Sequence, residues 1–439
     1  MVNAERVNYL IIGNSAGGIG AAEAIRGVGD SGSVTIVSDE PYPVYSRPLI
    51  AEHLSELRPL ERMLYRPADF YETNGITLRS GIEVTGIDTR TRTVELTDGT
   101  TLAWQKLLLA TGGSPIIPQI DGIDLNGVFP FTTLDDAGAI DRLLHHKQKK
   151  VRAVVIGGGL IGVSVTEALV KRGVNVTVVE MKERVLNVML DAETSVLVET
   201  TMKGAGVDII TGHTAGTIEG SADGEVTGVT LDSGQYLPCD MVIMAIGVRP
   251  RVELATGTAV DINRGIIVDR HMETSVPGIF ACGDVAEAYD FVHRENRVIP
   301  VWPGAYLGGR VAGLNMAGVD TEYAGGTSMN SLKYFGLAIT CAGLTVPPDE
   351  SCTVLCNNRI NQRKKVIIRD GVVVGMVFTD DIERSGIIYN LMKNRIEVNG
   401  FAEALISEDF GLVDLPEDIR KRWLQPLPEP VAVGETVTA

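Results

Sequence analysis

A pattern of strand, glycine-rich turn and helix occurs twice in the chain and constrains its fold more than any other feature. The first copy has an apolar strand at Tyr9 to Ile12, a turn at Gly13 to Gly18 and a helix predicted from Ile19 to Arg26. The second copy repeats this order between Val154 and Arg172. Apolar, β-prone runs that alternate with helices are typical of buried parallel strands. We therefore predict an α/β fold with two Rossmann-like domains.

The two turns match a dinucleotide-binding pattern to different degrees. The second satisfies Gly-x-Gly-x-x-Gly in full, whereas the first has Ser15 at the second glycine position. Glycines there allow a tight turn and let a pyrophosphate approach the main chain at a helix N-terminus. Taken alone, the first turn would equally suit a strand-to-helix turn with no ligand. The candidate nucleotide-binding residues of the turns are Gly13, Ser15, Ala16, Gly17, Gly18, Gly157, Gly159, Leu160, Ile161 and Gly162.

Acidic residues follow the next strand in each copy, about 20 residues beyond the turn, where a carboxylate can accept hydrogen bonds from ribose hydroxyls. These acids are Asp39 and Glu40 in the first copy and Glu180 in the second. A charged loop is the alternative for the first pair. A carboxylate at Glu180 would repel the 2′-phosphate of NADP, so we predict NAD(H), although Lys182 and Arg184 lie nearby in sequence.

Three later strands also end in glycine turns, which indicates further close approaches of the backbone. They contribute the candidate residues Ala110, Thr111, Gly112, Ile246, Gly247, Gly283 and Asp284. Segments on both sides of the second copy thus complete the first, and the second domain is predicted to be inserted in the first. We predict a discontinuous domain at 1–117 and 250–326, an inserted domain at 118–249, an α+β C-terminal domain at 327–425, and a disordered tail at 426–439.

Composition excludes several classes of function. A formal net charge of −17 and 5% aromatic residues argue against a nucleic-acid or anionic-membrane binder. We find no signal peptide and no apolar run long enough to span a membrane, which indicates a cytoplasmic protein. The five cysteines lack disulfide or metal-ligand spacing, since Cys352 and Cys356 have no further ligands in sequence, so we assign all five to structure and predict no metal.

Five motifs, GNSAGG, LLLATGGSP, VVIGGGLIG, AIGVRP and GIFACGDV, occur in this order, within a resemblance that covers nearly the whole chain. Together they resemble the FAD- and NAD(P)H-dependent oxidoreductases with two dinucleotide-binding domains. The branch is that of rubredoxin and ferredoxin reductases, NADH oxidases and coenzyme A disulfide reductases, and it includes flavin subunits of iron-sulfur oxidoreductases. The resemblance implies that the first copy binds FAD and the second binds the nicotinamide nucleotide.

The resemblance also implies roles for single residues. Asp284 would hold the ribityl chain of FAD and Val84 would lie at the adenine. Arg47 and Pro48 belong to a segment that would lie against the flavin ring. Trp302 opens a helix whose N-terminus would face the flavin pyrimidine, where the helix dipole stabilises negative charge.

The chain departs from that family at its redox residues. No cysteine precedes Cys239, so thiol-disulfide exchange beside the flavin is not expected. Ser164 stands where many relatives carry a glutamate, and Glu52 stands where ferredoxin reductases often carry a lysine, so a lysine-glutamate pair beside flavin N5 cannot form. Glu52 is either a candidate catalytic group near N5 or an exposed helix glutamate.

The last domain carries a basic cluster, defined as Arg359, Arg363, Lys364 and Lys365. It is either a solvated hairpin edge or a docking patch for an acidic iron-sulfur partner. The resemblance implies that this domain serves dimerisation or docking.

We predict an FAD-dependent oxidoreductase that exchanges a hydride between NAD(H) and flavin, and electrons with an iron-sulfur or other electron-transfer protein. The predicted oligomeric state is a homodimer or a subunit of a larger complex. The alternatives are an NADH oxidase that reduces oxygen and a non-catalytic, flavin-bearing assembly subunit.

Overall fold

The computed structural model describes residues 4–147, 150–359 and 362–424. These residues form two compact units. The first comprises residues up to Arg26, Ser31–Ser328 and Lys333–Leu337. The second comprises Gly27–Asp30, Met329–Leu332 and the residues from Ala338 onward. The predicted tail at 426–439 lies outside the described residues.

The elements of the first unit follow in chain order. Its early part contains β1 Glu5–Ile12, α1 Ala16–Gly27, β2 Val34–Ser38, α2 Ile50–Leu54, α3 Phe70–Thr73, β3 Ile76–Ser80, β4 Val84–Asp88, β5 Thr93–Leu96, β6 Thr101–Leu109 and β7 Gly113–Pro115. Its middle part contains β8 Val128–Pro130, α4 Leu134–His146, β9 Arg152–Ile156, α5 Leu160–Lys171, β10 Asn175–Glu180, α6 Ala192–Gly204, β11 Asp208–Thr211, β12 Ala215–Gly220, β13 Val226–Leu231, β14 Tyr236–Pro238, β15 Met241–Met244 and β16 Val248–Pro250. Its last part contains β17 Ile266–Ile267, β18 Ile279–Ala281, β19 Ala286–Asp290, β20 Glu295–Val298 and α7 Trp302–Met316.

Seven strands of the first unit form a sheet in the order β3-β2-β1-β6-β5-β4, with β18 also paired to β6. Strands β3, β2, β1, β6 and β18 run parallel, whereas β4 and β5 complete an antiparallel meander with β6. Side chains from both faces of this sheet are buried, and they form the larger apolar core. A strand that follows the middle part of the chain thus joins the sheet that the early part builds.

The middle part forms a second sheet, β11-β10-β9-β15-β8, whose strands are all parallel. The antiparallel meander β12-β13-β14 packs on it and shares one apolar core with β9 and β15. The fold is therefore two Rossmann-like sheets with the second inserted in the first, as the sequence predicts.

The insertion leaves and re-enters the first domain at one place. Strand β7 pairs antiparallel with β16, so that Pro115 lies opposite Val248 and Gly113 opposite Pro250. One short strand precedes the inserted sheet in the chain and the other follows it. Because these strands pair, the chain enters and leaves the inserted domain at the same place.

Helix α7 packs directly on α1 because the contact is made of small residues. A Cβ on Gly309 would lie 2.0 Å from the main-chain oxygen of Gly17, and one on Gly313 would lie 2.4 Å from that of Ala21. The glycine turns also enter their helices earlier than predicted, since α1 begins at Ala16 rather than Ile19.

The second unit has an α+β composition. Its sheet has the order β21-β22-β25-β24-β23, with β21 Met329–Tyr334, β22 Leu337–Gly343, β23 Cys352–Arg359, β24 Gln362–Arg369 and β25 Val372–Thr379, except that Lys333–Leu337 belong to the first unit. Its helices are α8 Ser385–Lys393 and α9 Glu417–Leu424. Asp370 and Gly371 both have positive φ, as a two-residue Asp-Gly hairpin turn requires.

Both expectations for the basic cluster are wrong for three of its four members. Arg363, Lys364 and Lys365 are only 5–8% exposed, so they form neither a solvated edge nor a docking surface. Lys364 donates to the main-chain oxygen of Ser407 at 2.9 Å and pairs with Asp381 at 2.7 Å. These cations are buried because the sheet and the segments packed on it supply acceptors that are distant in sequence. Arg359, at the strand end, pairs with Glu408.

Within the described part of the chain, every helix is too short or too polar to cross a membrane.

Candidate functional site

The first glycine turn is shaped by a close approach between strand ends. The N–H of Gly13 donates to the Val37 oxygen at 2.9 Å, and the N–H of Ala110 donates to the Ile12 oxygen at 2.8 Å. A Cβ on Gly13 would lie 2.1 Å from the Ala110 oxygen, and one on Gly18 would lie 2.0 Å from the Gly13 oxygen. No other residue fits at either position without moving the backbone.

The second glycine turn repeats this construction. Gly157 donates to the Val179 oxygen and Ala245 donates to the Ile156 oxygen, both at 2.8 Å. A Cβ would lie 2.4 Å from the Ala245 oxygen if built on Gly157, and 1.9 Å from the Gly157 oxygen if built on Gly162. The incomplete first motif and the complete second motif thus have the same local structure.

The middle glycine of the motif has a different environment. A Cβ on Gly159 would meet no atom within 4 Å. The fold therefore does not require glycine at this position, which explains why Ser15 is tolerated at the matching position of the first turn. The space beside Gly159 lies at the start of α5, which no side chain caps. An uncapped helix start with room beside it fits a pyrophosphate.

The carboxyl ends of β6 and β18 meet beside the first turn. The N–H of Cys282 donates to the Leu109 oxygen at 3.1 Å, and Gly283 then turns the chain with a φ of +74°. Asp284 is the next residue, in the 3-10 turn Gly283–Val285. Burial raises the pKa of its carboxyl, and the positive charge of Arg47 acts in the opposite direction. Arg47 and Asp284, far apart in sequence, are thus within electrostatic reach of each other.

Glu40 has two hydrogen-bond partners that were not predicted from the sequence. One of its carboxylate oxygens accepts from Arg47, and the other accepts from the Tyr45 hydroxyl at 2.5 Å. Arg47 also donates to the Thr132 oxygen at 3.0 Å. Glu40 therefore fixes the segment around Arg47. Asp39, the neighbouring candidate, is more exposed and accepts from Arg251 at 2.8 Å.

Glu180 lies beside the second turn, where the sequence predicts it. It is buried, and its oxygens accept from the Gly158 N–H at 2.7 Å and the Lys182 N–H at 2.8 Å. A carboxylate therefore borders the second turn and braces its main chain.

Strand β6 of the first sheet and strand β15 of the second sheet each end just before one strand of the β7–β16 pair. Thr111 and Gly112 immediately precede β7, and Ile246 and Gly247 immediately precede β16. The N–H of Ile116 donates to the Gly247 oxygen at 2.9 Å, and the Thr111 hydroxyl donates to the Arg251 oxygen at 2.9 Å. The candidate residues at the end of each sheet are therefore brought together by β7 and β16.

The remaining predicted residues lie in varied surroundings. Trp302 is the first residue of α7 and packs edge-on against Tyr65 with ring centroids 5.3 Å apart. Val84 is buried in the core of the first sheet. Pro48 lies in the short 3-10 turn Arg47–Leu49. The Glu52 side chain is 43% exposed and pairs with Arg58 at 2.7 Å.

The polar side chains that contact the first turn and helix α1 were also not predicted from the sequence. The Tyr71 hydroxyl donates to the Asn14 side-chain oxygen at 2.8 Å and accepts from the Val44 N–H at 3.1 Å. Glu23 on α1 pairs with Arg66 and accepts from the Tyr306 hydroxyl at 2.8 Å. Their partners are distant in sequence, so no local pattern indicates them.

Three side chains outside these turns have ligand-like geometry but an internal partner. Glu56, Asp141 and His145 place one ligand atom each within 4.8 Å of one another. Both carboxylates, however, pair with Arg172, at 3.1 and 2.8 Å. The Arg172 guanidinium therefore already neutralises the negative charge that would attract a metal cation.

Comparisons with known proteins give one consistent family. The family model for pyridine nucleotide-disulphide oxidoreductases matches residues 7–309. The chain is 32% identical over 412 residues to the NADH-dependent phenylglyoxylate dehydrogenase subunit epsilon of Aromatoleum evansii, covering 93% of this chain and 96% of that one. It is 33% identical over 345 residues to rhodocoxin reductase of Rhodococcus erythropolis, covering 78% and 79% of the two chains.

A solved structure agrees with these relatives. A chain from the crystal structure of the covalent putidaredoxin reductase-putidaredoxin complex aligns with a TM-score of 0.82 and 27% identity, covering 90% of this chain and 94% of that one. Two glycine turns of one construction, the inserted second sheet and these matches lead to one conclusion: the chain belongs to the pyridine nucleotide-disulphide oxidoreductase family, an enzyme family characterised by FAD and a nicotinamide nucleotide.

Proposed function

We propose that this protein is an NADH-dependent flavoprotein oxidoreductase that exchanges electrons with an electron-transfer protein or subunit. The observation that carries the proposal is the duplicated glycine turn, with the ends of both sheets joined by the ladder of β7 and β16. Such a ladder would fix the two proposed nucleotide sites with respect to each other, as transfer between two bound cofactors requires. When bound, FAD would accept a hydride from NADH and release electrons singly.

The first turn would hold FAD. Gly13 to Gly18 would face its pyrophosphate, Asp284 its ribityl chain, and Asp39 its adenosine ribose. Glu40 would act indirectly, by holding Arg47 toward the cofactor. The pKa direction of Asp284 supports its placement in a shielded region, where a carboxyl group makes strong hydrogen bonds to hydroxyls.

The second turn would hold NAD(H) in preference to NADP(H). Glu180 is buried and fixed by two main-chain N–H groups, so it cannot swing away from a 2′-phosphate. A fixed carboxylate repels a phosphate and accepts from a ribose hydroxyl. The domain limits given from the sequence, 1–117 with 250–326, 118–249 and 327–425, are part of this proposal.

The absence of a suitable thiol favours a protein acceptor over disulfide chemistry. No cysteine precedes Cys239, and burial raises the pKa of both Cys239 and Cys282 to about 12. Thiols that stay protonated at neutral pH do not relay electrons by thiol-disulfide exchange. Relatives named as a rhodocoxin reductase and as an epsilon subunit support a protein partner, either separate or within a larger complex.

We propose a homodimer or a subunit of a larger complex, and a cytoplasmic protein, which five free cysteines support. The three buried members of the basic cluster give no reason to place an acidic partner on β24.

The test is an anaerobic titration of the purified protein with NADH. We expect one FAD per chain, rapid bleaching of the flavin by NADH, much weaker bleaching by NADPH, and fast turnover only when a one-electron protein acceptor is added. Rapid turnover under air without a carrier would favour an NADH oxidase. Very slow bleaching would favour a non-catalytic assembly subunit, and a protein without flavin would contradict the proposal.

A further inference from the structure

The hairpin turn between β21 and β22 lies on the helix that begins at the second glycine turn. Phe335 and Gly336 form a two-residue turn in which both φ angles are positive, +51° and +92°. The N–H of Phe335 donates to a Glu167 carboxylate oxygen on α5 at 2.9 Å. Residues Lys333–Leu337 accordingly belong to the first compact unit.

The residue before this turn, Tyr334, reaches the first helical turn of α5. Tyr334 is 6% exposed, and its hydroxyl lies 2.8 Å from the Ser164 hydroxyl. The same hydroxyl donates to the main-chain oxygen of Leu160 at 3.3 Å. Leu160 is the first residue of α5 and directly follows the open position at Gly159.

Ser164 therefore has an unusual partner for a helical hydroxyl. A serine or threonine within a helix commonly donates to the carbonyl four residues earlier. Three threonines here do so: Thr166 to Gly162 at 2.7 Å, Thr200 to Val196 at 2.7 Å and Thr201 to Leu197 at 2.8 Å. The corresponding carbonyl for Ser164 is that of Leu160, which Tyr334 uses instead. With the Tyr334 proton directed to Leu160, the Ser164 proton is directed to Tyr334.

We propose that Tyr334 and Ser164 are positioning residues for the bound nicotinamide nucleotide. The inference rests on the proposed binding of NAD(H) at the second turn. Tyr334 fixes the carbonyl of Leu160 and with it the first turn of α5, whose N–H groups would hold the pyrophosphate. It also directs Ser164, one helical turn further along, away from its own backbone. The pair thus preorganises a binding surface that a helix with a free serine would form less precisely.

The experiment measures NADH affinity and flavin reduction in four variants of the full chain with FAD bound. Tyr334→Phe removes the hydroxyl and keeps the ring, and we expect the Kd for NADH to rise about three- to tenfold, as for the loss of one neutral hydrogen bond. Ser164→Ala should raise it about two- to threefold. The double variant should bind no worse than Tyr334→Phe, because both changes remove the same hydrogen-bonded pair.

Tyr236→Phe is the matched control. The Tyr236 hydroxyl also donates to a main-chain oxygen, that of Thr227 at 3.0 Å, but it lies in the meander of β13 and β14. The control should bind NADH as the unchanged protein does. In every variant, FAD content and the rate of flavin reduction at saturating NADH should change less than about twofold, so that in the three variants at Tyr334 and Ser164 KM rises while kcat is maintained.

An unchanged Kd in Tyr334→Phe, or a loss of thermal stability without a change in Kd, would overturn the inference and leave the proposed function intact. If Tyr334→Phe does not fold, Ser164→Ala decides, and an unchanged Kd there has the same meaning. Failure of the unchanged protein to bind NADH would instead contradict the proposed function itself.

Discussion

Glycines that look equivalent in the Gly-x-Gly-x-x-Gly motif have different structural requirements in this protein. At Gly162 an added Cβ would lie 1.9 Å from a main-chain oxygen, whereas at Gly159 it would meet nothing, and the φ of −78° there suits any residue. We predict that Gly162→Ala lowers the free energy of unfolding by about 1–3 kcal/mol, the usual cost of overpacking. Gly159→Val should change unfolding less than Gly162→Ala does but weaken NADH binding at least tenfold, because its branched side chain, larger than that of Ser15 in the first turn, would occupy the pyrophosphate position.

Thermal unfolding and NADH titration of these two variants separate the fold from the ligand. A Gly159→Val protein that binds NADH normally would show that the space beside this residue is not a phosphate site.

A second prediction at the residue scale concerns Glu23. Burial acts to raise its pKa, but hydrogen bonds from Arg66 and Tyr306 and the charge of Arg66 outweigh this, so the net pKa lies below the ordinary value of 4.5. A lowered carboxyl pKa stabilises the folded state above the unfolded pKa, and this stabilisation is lost as pH falls through the folded pKa. Glu23→Gln should therefore destabilise the protein by about 1–3 kcal/mol at pH 7, with a difference that shrinks below about pH 4.5. Denaturant unfolding of both proteins at pH 7 and below about pH 4.5 measures this difference in the free energy of unfolding. A difference that does not change with pH would contradict the prediction.

At the scale of elements, strand β24 shows why the sequence misleads about charge. Four cations within seven residues are typical of a solvated edge, yet the neighbours of β24 supply acceptors to the three that are buried. We predict that Lys364→Met lowers the free energy of unfolding by about 1–3 kcal/mol, because it leaves Asp381 and the Ser407 carbonyl without this donor. The rate with a protein acceptor should not change.

The control for this variant is Lys421→Met. The Lys421 pair with Glu417 is exposed on both sides, so its loss should have little effect on stability. If Lys364→Met instead slowed electron transfer and left stability unchanged, β24 would belong to a docking surface after all.

Elements that depend on local chemistry could be predicted, and those that depend on distant partners could not. The two glycine turns, the strands around them and the Asp370-Gly371 hairpin follow from short patterns, because backbone conformation alone selects glycine there. Tyr334 and Ser164 are 170 residues apart, and nothing in either neighbourhood indicates that they meet. Glu40 and Arg47 hydrogen-bond to each other and are close in sequence. Their contact was not predicted, because an acid after this strand is equally expected to accept from a ribose.

At the scale of the whole molecule, the cysteines test whether electrons pass through flavin alone. Cys356 is exposed and Cys352 is partly exposed, whereas burial raises the pKa of Cys239, Cys282 and Cys341 to about 12. A thiol with that pKa has only about one thiolate in 10⁴ to 10⁵ molecules near neutral pH, and the thiolate is the reactive form. We expect an alkylating reagent to modify at most two cysteines in the folded protein at pH 7.5, and all five after unfolding.

The alkylated folded protein should keep its NADH-dependent flavin reduction, because neither exposed cysteine lies near the glycine turns in the sequence or belongs to their strands. Raising the pH toward 9 should leave the three buried thiols largely unmodified, because a pKa of about 12 keeps them protonated there. Counting modified cysteines by mass spectrometry while following flavin bleaching tests both statements. Loss of NADH-dependent reduction after modification of a single cysteine would mean that a thiol takes part in the reaction, and the assignment of all five cysteines to structure would be wrong.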